Sequence, residues 1–293
     1  MFDFFDRFST GFSVASDCWD VLKKDKKLLL FPLVSGLACF VVLLSFVAPI
    51  AVLRPQELNG FLDEDPRAKI FNSPVWFWLV MFAFYFCNYF VIYFFNAALI
   101  HCALFRFRGM ELSVNDGFWA ATRCLPQILG WALVSATVGV TLKIIESTSD
   151  WVGRLVVAIL GTTWTVVTYF VLPILIVEKV GPIRAVGRSA KILADTWGEA
   201  IGGRIGIGWF LLPFWLLGFL LLVGGVALLH SVMVIGIALI AVAIATFVLL
   251  GLVGSALETI LLSGLYLYAT QGEVPAEMNR RLLKRAFTPR ERD

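Results

Sequence analysis

Charge is scarce in this sequence. Charged residues make up only 15% of the 293 residues, whereas apolar residues make up 59%. A water-soluble chain of this composition would lack the polar side chains needed to cover its surface. The composition therefore excludes an ordinary soluble domain and predicts a polytopic membrane protein.

Several chemical motifs are missing as well. The sequence contains no GxxxxGK[ST] phosphate loop, no HExxH and no GxSxG elbow, so we expect neither an enzyme nor a bound cofactor. The two histidines, His101 and His230, are too few for a histidine-rich metal site. The scattered cysteines form no CxxC pair, so we expect no metal site, and none lies in an expected outer loop, so we expect no disulfide. They are Cys18, Cys39, Cys87, Cys102 and Cys124.

Long apolar runs dominate what remains. Crossing about 30 Å of hydrocarbon takes about 20 helical residues. The runs are continuous rather than alternating in ten-residue strands, which favours helices over a β-barrel. The predicted fold is therefore all-α, a polytopic membrane bundle of six transmembrane helices at about Leu28 to Leu53, Pro74 to Phe105, Gln127 to Leu142, Trp151 to Val177, Ile205 to Leu229 and Ser231 to Leu267.

The distribution of Lys and Arg predicts the orientation of these spans. Nineteen of the 24 basic residues fall on the side that holds both termini, so the positive-inside rule predicts cytoplasmic termini. The acidic and aromatic start, MFDFFDRF, is unlike a cleaved signal peptide, so the first span is expected to remain. We expect a multi-pass protein of an inner (cytoplasmic) membrane. Its predicted parts are an amphipathic segment (1–27), a six-helix domain (28–270) and a basic cytoplasmic tail (271–293).

Amphipathic segments precede the first, third and fifth spans. In the first segment, Phe12, Ala15, Trp19 and Leu22 recur at helical spacing. Such segments are typical of helices in the membrane interface, on the predicted cytoplasmic side. An interfacial helix followed by two spans would then occur three times, which predicts three parallel two-helix repeats or, alternatively, shared interfacial chemistry alone. The third segment has the same pattern at Ile183, Val186, Ala190 and Leu193, with Arg184, Arg188, Lys191 and Asp195 on other faces.

An ordered set of short motifs carries a family resemblance. The set is WDVLKKDKKLLLFPLVSG, FFNAALIHCALFRFRG, GWALVSATVG, VEKVGPIRAVGRSAKILADTWGE and GLYLYATQGEVP. From about residue 9 to 278, the chain resembles the bacterial membrane proteins grouped as domain of unknown function 6159. The resemblance implies a six-helix membrane protein of bacterial type and supplies no catalytic residues.

Glu258 is a carboxylate inside the last apolar run. It lies about 10 Å beyond the expected inner membrane boundary and shares a helical face with Gly251, Gly254 and Ser255. We therefore expect it to be buried against protein. Three interpretations remain open: an ion pair with Arg123, Arg188 or Arg204, a polar vestibule that handles an ion, or a simply solvated charge.

A second polar line follows the second span. Interhelical hydrogen bonding explains this line, and a lined pathway is the alternative. Asn96 and His101 fall at or beyond the expected cytoplasmic boundary, so we expect the inner ends of the second and sixth helices to be covered by protein. The line consists of Tyr85, Asn88, Tyr89, Tyr93 and Asn96.

Two function classes are consistent with these features. The first is a non-catalytic membrane component with an envelope, lipid-organising or partner-scaffolding role. The second is a small transporter or channel that uses Glu258 and the Tyr85–Asn96 line. Expected partners are membrane lipids, with anionic headgroups at the cytoplasmic face, and a protein partner or second copy. The basic tail RRLLKRAFTPRERD is explained by lipid, so we expect no nucleic acid; the outer loop LDEDPRAK (62–69) is interpreted as a solvated turn.

Overall fold

The fold is described from a computed structural model, which gives the backbone of residues 2–53, 75–148, 151–229 and 231–272. Side chains are described for residues 12–52, 75–147, 152–194, 206–229 and 231–272. All regular structure in these ranges is helical, which confirms the predicted all-α fold. A 3-10 helix, Lys26–Leu29, joins α1 to α2. The α-helices of the described ranges are α1 (Phe2–Lys24), α2 (Leu30–Leu53), α3 (Val75–Phe107), α4 (Val114–Arg123), α5 (Leu125–Thr148), α6 (Trp151–Val167), α7 (Val171–Val177), α8 (Pro182–Leu228) and α9 (Met233–Gln271).

Six helical stretches of the described residues are long and apolar enough to cross a membrane. Many of their large apolar side chains, such as Leu37, Phe219 and Val234, are exposed in the isolated chain, as expected for side chains that face lipid. The protein is therefore a multi-pass transmembrane protein. The stretches are Lys26–Val52, Val75–Phe107, Leu125–Ser147, Val152–Val177, Gly206–Leu228 and Met233–Gln271.

The third span is longer than predicted. Its helix, α5, continues to Thr148 rather than ending at Leu142. The predicted end was placed where the first charged residue, Lys143, interrupts the apolar run. Lys143 Nζ instead contacts Glu146 Oε2 at 3.0 Å, an i,i+3 pair that is compatible with another helical turn.

The fourth span is not the continuous helix that we predicted. It is interrupted at residues 168–170, between α6 and α7. Pro173 explains the interruption, because it lacks an N–H and its ring would collide with the carbonyl of Tyr169, four residues earlier, in a regular helix. A span that looks unbroken by hydropathy therefore contains a short non-helical segment.

The fifth span and the amphipathic segment before it form one helix. The sequence predicted a separate interfacial helix over Ile183 to Leu193 and a span from Ile205, but α8 runs from Pro182 to Leu228. No proline lies between Pro182 and Pro213, and a glycine inside a helix costs only about 1 kcal/mol. The glycines of this segment therefore lower helix propensity without ending the helix.

The amphipathic segments are helical, but two of the predicted apolar faces are partly wrong. Phe12 is 46% exposed and Ile183 is 84% exposed. The predicted faces were based mainly on large apolar residues, whereas close helix packing also buries small ones. The side chains that α1 and α8 bury in these segments include Ala15, Cys18, Val21 and Leu22 of α1 and Ala185, Ser189, Ile192 and Leu193 of α8.

Each amphipathic segment packs on an even-numbered span. The first, α1, packs on α9, the last span. The second, α4, places Phe118 against Phe94 of α3, with ring centroids 6.2 Å apart. The third, at the start of α8, reaches the fourth span through Ser189. The three parallel repeats stay a prediction, with which these contacts are compatible.

The chain divides into two compact units. The first comprises Met1–Pro32, Cys102–Val114 and Ala194–Asp293, and the second comprises Leu33–His101 and Asn115–Leu193. In the first unit, residues 256–267 of α9 are almost entirely buried, and Arg108 Nη2 donates to Gln271 Oε1 at 3.1 Å. In the second unit, residues 97–100 of α3 are fully buried. The C-terminal parts of α3 and α9 are therefore covered by protein, as the excess length of their apolar runs predicted.

Candidate functional site

The tyrosines of α3 form a stacked column in the second unit. Tyr85 and Tyr89 stack with centroids 5.9 Å apart, and Tyr89 and Tyr93 stack at 5.7 Å. Their four-residue spacing places them on one helical face, and offset stacking is a favourable arrangement for aromatic rings. The polar line predicted from sequence is therefore, at these three positions, an aromatic column.

Helix α5 supplies the surface against which this column packs. The Tyr93 hydroxyl hydrogen-bonds to Ser135 Oγ at 3.0 Å. A Cβ on Gly139 would lie 3.4 Å from Tyr89 Oη, so the absence of a side chain there lets the two helices approach closely. Trp131 extends the stacking to Trp164 of α6, at 5.7 Å. One tyrosine hydroxyl thus makes an interhelical hydrogen bond, in keeping with the structural interpretation of this line.

The other polar residues of α3 do not belong to this column. Asn88 Nδ2 donates to Phe84 O in its own helix at 3.0 Å. Asn96 and His101 are half-buried, and the Asp116 carboxylate of α4 acts electrostatically on His101. The tyrosines of the predicted line therefore share one stacked column, whereas Asn88 bonds within its own helix.

Glu258, in the first unit, is exposed, so the prediction that it is buried is wrong. Gly251 lies seven residues earlier on the same helical line and is exposed too, while a Cβ on Gly254 would meet Leu211 Cδ1 at 3.3 Å. Ser255 is half-buried. The small residues do mark close packing, but the packing contact is at Gly254 and leaves the neighbouring Glu258 exposed.

The basic residues considered as partners of Glu258 have other positions. Arg123 lies over the Trp119 ring, with its guanidinium carbon 3.5 Å from the ring centroid. Arg188 Nε contacts Glu178 Oε1 at 3.3 Å. The side chain of Arg204 lies outside the described residues.

Sequence reasoning missed a buried serine that bridges the interrupted fourth span. The Phe170 N–H donates to Ser189 Oγ at 3.0 Å, and Ser189 Oγ donates to Val167 O at 2.6 Å. In a continuous helix the Phe170 N–H would donate to Val166 O, and Val167 O would accept from the Val171 N–H. One fully buried hydroxyl therefore replaces two main-chain hydrogen bonds. Pro173 was the signal that could have located the interruption.

A basic turn follows α7. Its central residue, Lys179, has φ +52°, a left-handed conformation that costs an L residue about 1–2 kcal/mol. Arg123, Lys179, Arg184 and Arg188 are all exposed. Sequence reasoning placed these residues on polar faces or in a basic segment, but it gave no reason to group them.

The other sequence predictions concern the cysteines, metal binding and three segments of the chain. All five cysteines are free, and burial raises the pKa of the Cys18 and Cys124 thiols. Among the described residues, no group of three or more His, Cys, Asp or Glu side chains is arranged to hold a metal ion. His230, the outer loop at 62–69 and the tail beyond Gly272 lie outside the described residues.

Comparison with known proteins gives one match. No curated protein and no solved structure matches the chain. The sequence model described as "Family of unknown function (DUF6159)" matches residues 75–276, which include α3 to α9. Because this match covers more than half of the sequence, the chain belongs to that family of unknown function, as its motifs predicted.

Proposed function

We propose that the protein is a non-catalytic membrane scaffold that contacts lipid and a protein partner or a second copy of itself. The observation that carries this proposal is the tyrosine column. Three positions of the polar line on α3 are occupied by stacked rings, and Tyr93 directs its hydroxyl to Ser135. A conduction pathway requires polar groups that face an ion or water, whereas these groups face one another and α5.

A small transporter is the second candidate. The interruption between α6 and α7 favours it, because transporters often bind their substrates at discontinuous helices. In this protein, however, the freed main-chain groups of Phe170 and Val167 bond to Ser189 rather than facing a cavity. The interruption is therefore better explained as an element of packing.

A flux measurement distinguishes the two functions. We expect vesicles that contain the wild-type protein to conduct protons and alkali cations no faster than empty vesicles. We also expect Glu258→Gln to leave this background unchanged, because Glu258 is exposed on α9. Glu146→Gln is the matched control, since Glu146 is a part-exposed carboxylate of another span. Flux that appears with wild type and is lost only in Glu258→Gln would replace the scaffold with the transporter.

The scaffold also predicts a positive result in native lipid. Particles extracted with their surrounding membrane should contain a second copy or a partner protein at a fixed ratio. Exposed aromatic side chains on α8, such as Phe214 and Phe219, provide apolar surface for either contact. Monomeric particles with variable contents would contradict the scaffold even if no flux were found.

We further propose that the protein lies in a bacterial inner membrane with both termini in the cytoplasm. The unequal distribution of Lys and Arg supports this orientation. We expect a membrane-impermeant thiol reagent to label intact cells at a cysteine introduced at Asn59 and not at one introduced at Thr288. The five native cysteines would first be replaced and, as a control, both sites should react in permeabilised cells. The reverse pattern would invert the topology.

A further inference from the structure

Two separate stretches of the second unit form one surface, which we call the basic patch: residues 119–123 at the end of α4 and residues 177–188 after α7. Cys124 Sγ lies 3.9 Å from Ile176 O, and a Cβ on Gly130 would be 3.1 Å from Pro182 Cγ. The Lys179 charge acts electrostatically on Cys124. These contacts bring the end of α4 beside the turn that leads into α8.

The basic patch is positively charged and exposed. Its two stretches contain four basic residues and one acidic residue, Glu178. Glu178 Oε1 lies 3.3 Å from Arg188 Nε, so its charge is directed mainly at one of the four cations. Asp116, at the other end of α4, acts on His101. A net positive charge therefore remains at Arg123, Lys179 and Arg184.

Large apolar side chains stand beside these charges. Trp119 is 61% exposed and Ile183 is 84% exposed. The Arg123 guanidinium lies over the Trp119 ring, an arrangement that holds a cation beside an amphipathic aromatic ring. Exposed Trp and Ile next to Lys and Arg are typical of surfaces that insert apolar groups among lipid headgroups.

The conformation of Lys179 adds an independent observation. Its φ of +52° falls in the left-handed region, where glycine is the usual residue after a helix. A lysine at this position keeps a charge in the basic patch at the expense of local strain. Strained backbone of this kind often accompanies a functional role.

We propose that the basic patch binds the phosphate-bearing headgroups of anionic membrane lipids, with Lys179 and Arg123 as the principal contacts. The inference deepens the proposed function and rests on it, since it names the lipid class that this surface of the scaffold contacts. Charge complementarity favours anionic over zwitterionic headgroups, and the exposed Trp119 and Ile183 favour a lipid surface over a free anion.

Lipid titration of the full chain in detergent micelles tests this proposal. Native mass spectrometry would measure how many molecules of phosphatidylglycerol or phosphatidylcholine remain bound to each variant. We expect wild type to prefer phosphatidylglycerol. We expect Lys179→Gly to lower its association constant about five-fold, the equivalent of one basic residue near an anionic surface, without changing phosphatidylcholine binding. Arg123→Gln should produce a similar loss.

Two controls separate lipid binding from other effects. The thermal midpoint of Lys179→Gly should stay level or rise, because glycine relieves the left-handed strain, so the loss of lipid would not reflect unfolding. Lys143→Gln removes a basic residue near the opposite end of α5 and should leave phosphatidylglycerol binding unchanged.

Several results would overturn the proposal. Unchanged phosphatidylglycerol binding in Lys179→Gly would do so, as would an equal loss in Lys143→Gln, which would mean that net charge alone matters. Full competition by inorganic phosphate would indicate a free-anion site instead of a lipid surface. The flux measurement is independent of these results. Failure of the lipid-binding proposal would therefore leave the scaffold proposal standing.

Discussion

Replacing Ser189 by alanine is expected to lower the free energy of unfolding by about 2–4 kcal/mol, because it leaves one buried and one part-buried main-chain group without their hydrogen bonds. The two groups are the N–H of Phe170 and the carbonyl of Val167, both held by the Ser189 hydroxyl. Side-chain hydrogen bonds between membrane helices average only about 0.6 kcal/mol, since their groups find other partners when the helices separate. Pro173 restricts such rearrangement here, because it prevents the main chain from closing into a regular helix.

The matched control for this change is Thr162→Ala. Thr162 Oγ1 also donates to a main-chain carbonyl of the same span, Ala158 O at 2.7 Å. That carbonyl is inside α6 and keeps its helical N–H partner, so we expect a change within about 0.5 kcal/mol. Equal losses in Thr162→Ala and Ser189→Ala, measured by reversible unfolding in mixed micelles, would mean that the bridge has no special role.

A double-mutant cycle with Pro173→Ala tests the cause of the bridge. Alanine at this position restores an N–H and removes the ring that conflicts with the carbonyl of Tyr169. The helix could then continue from α6 into α7, and Ser189→Ala should cost less in this background than in wild type. Strictly additive losses would show that Pro173 and Ser189 act independently.

The spans were predictable from sequence because the hydropathy and length of an apolar run can be read directly from consecutive residues. The helices α2, α3 and α9 begin and end within a few residues of the predicted limits. The covered C-terminal parts of α3 and α9 were also predictable, since both apolar runs are longer than a bilayer requires. The interruption of the fourth span was not predicted, because one proline changes hydrogen bonding without changing hydropathy.

The faces of the helices were harder to predict. Periodicity placed Glu258 on the line of Gly251, Gly254 and Ser255, which is correct, but it could not show which edge of that line contacts α8. Gly254 contacts Leu211, and Glu258 remains exposed. The left-handed conformation of Lys179 was also beyond sequence reasoning, because lysine is not a residue whose presence indicates that conformation.

Replacing Gly236 by alanine is expected to destabilise the α8–α9 hairpin by about 2–3 kcal/mol, the upper part of the usual range for overpacking. A Cβ on Gly236 would lie 2.8 Å from Gly225 O and 2.9 Å from Leu229 N. Both contacts are main-chain atoms of the facing helix end, which cannot rotate away as a side chain can. The two helices would have to separate, and the close packing that drives helix association in membranes would be lost.

Two other glycines provide a graded comparison, measured by reversible unfolding in the same micelles. A Cβ on Gly218 would lie 2.7 Å from Phe247 Cε1, a side-chain atom that can move, so Gly218→Ala should cost less than Gly236→Ala. Gly251, on the same helix as Gly236, has nothing within 4 Å of its Cβ position, so Gly251→Ala should be neutral or gain up to about 1 kcal/mol from helix propensity. From the most to the least stable variant, the expected order is therefore Gly251→Ala, Gly218→Ala and Gly236→Ala. If Gly236→Ala were as stable as Gly251→Ala, the hairpin would not depend on close approach of the main chains at this point.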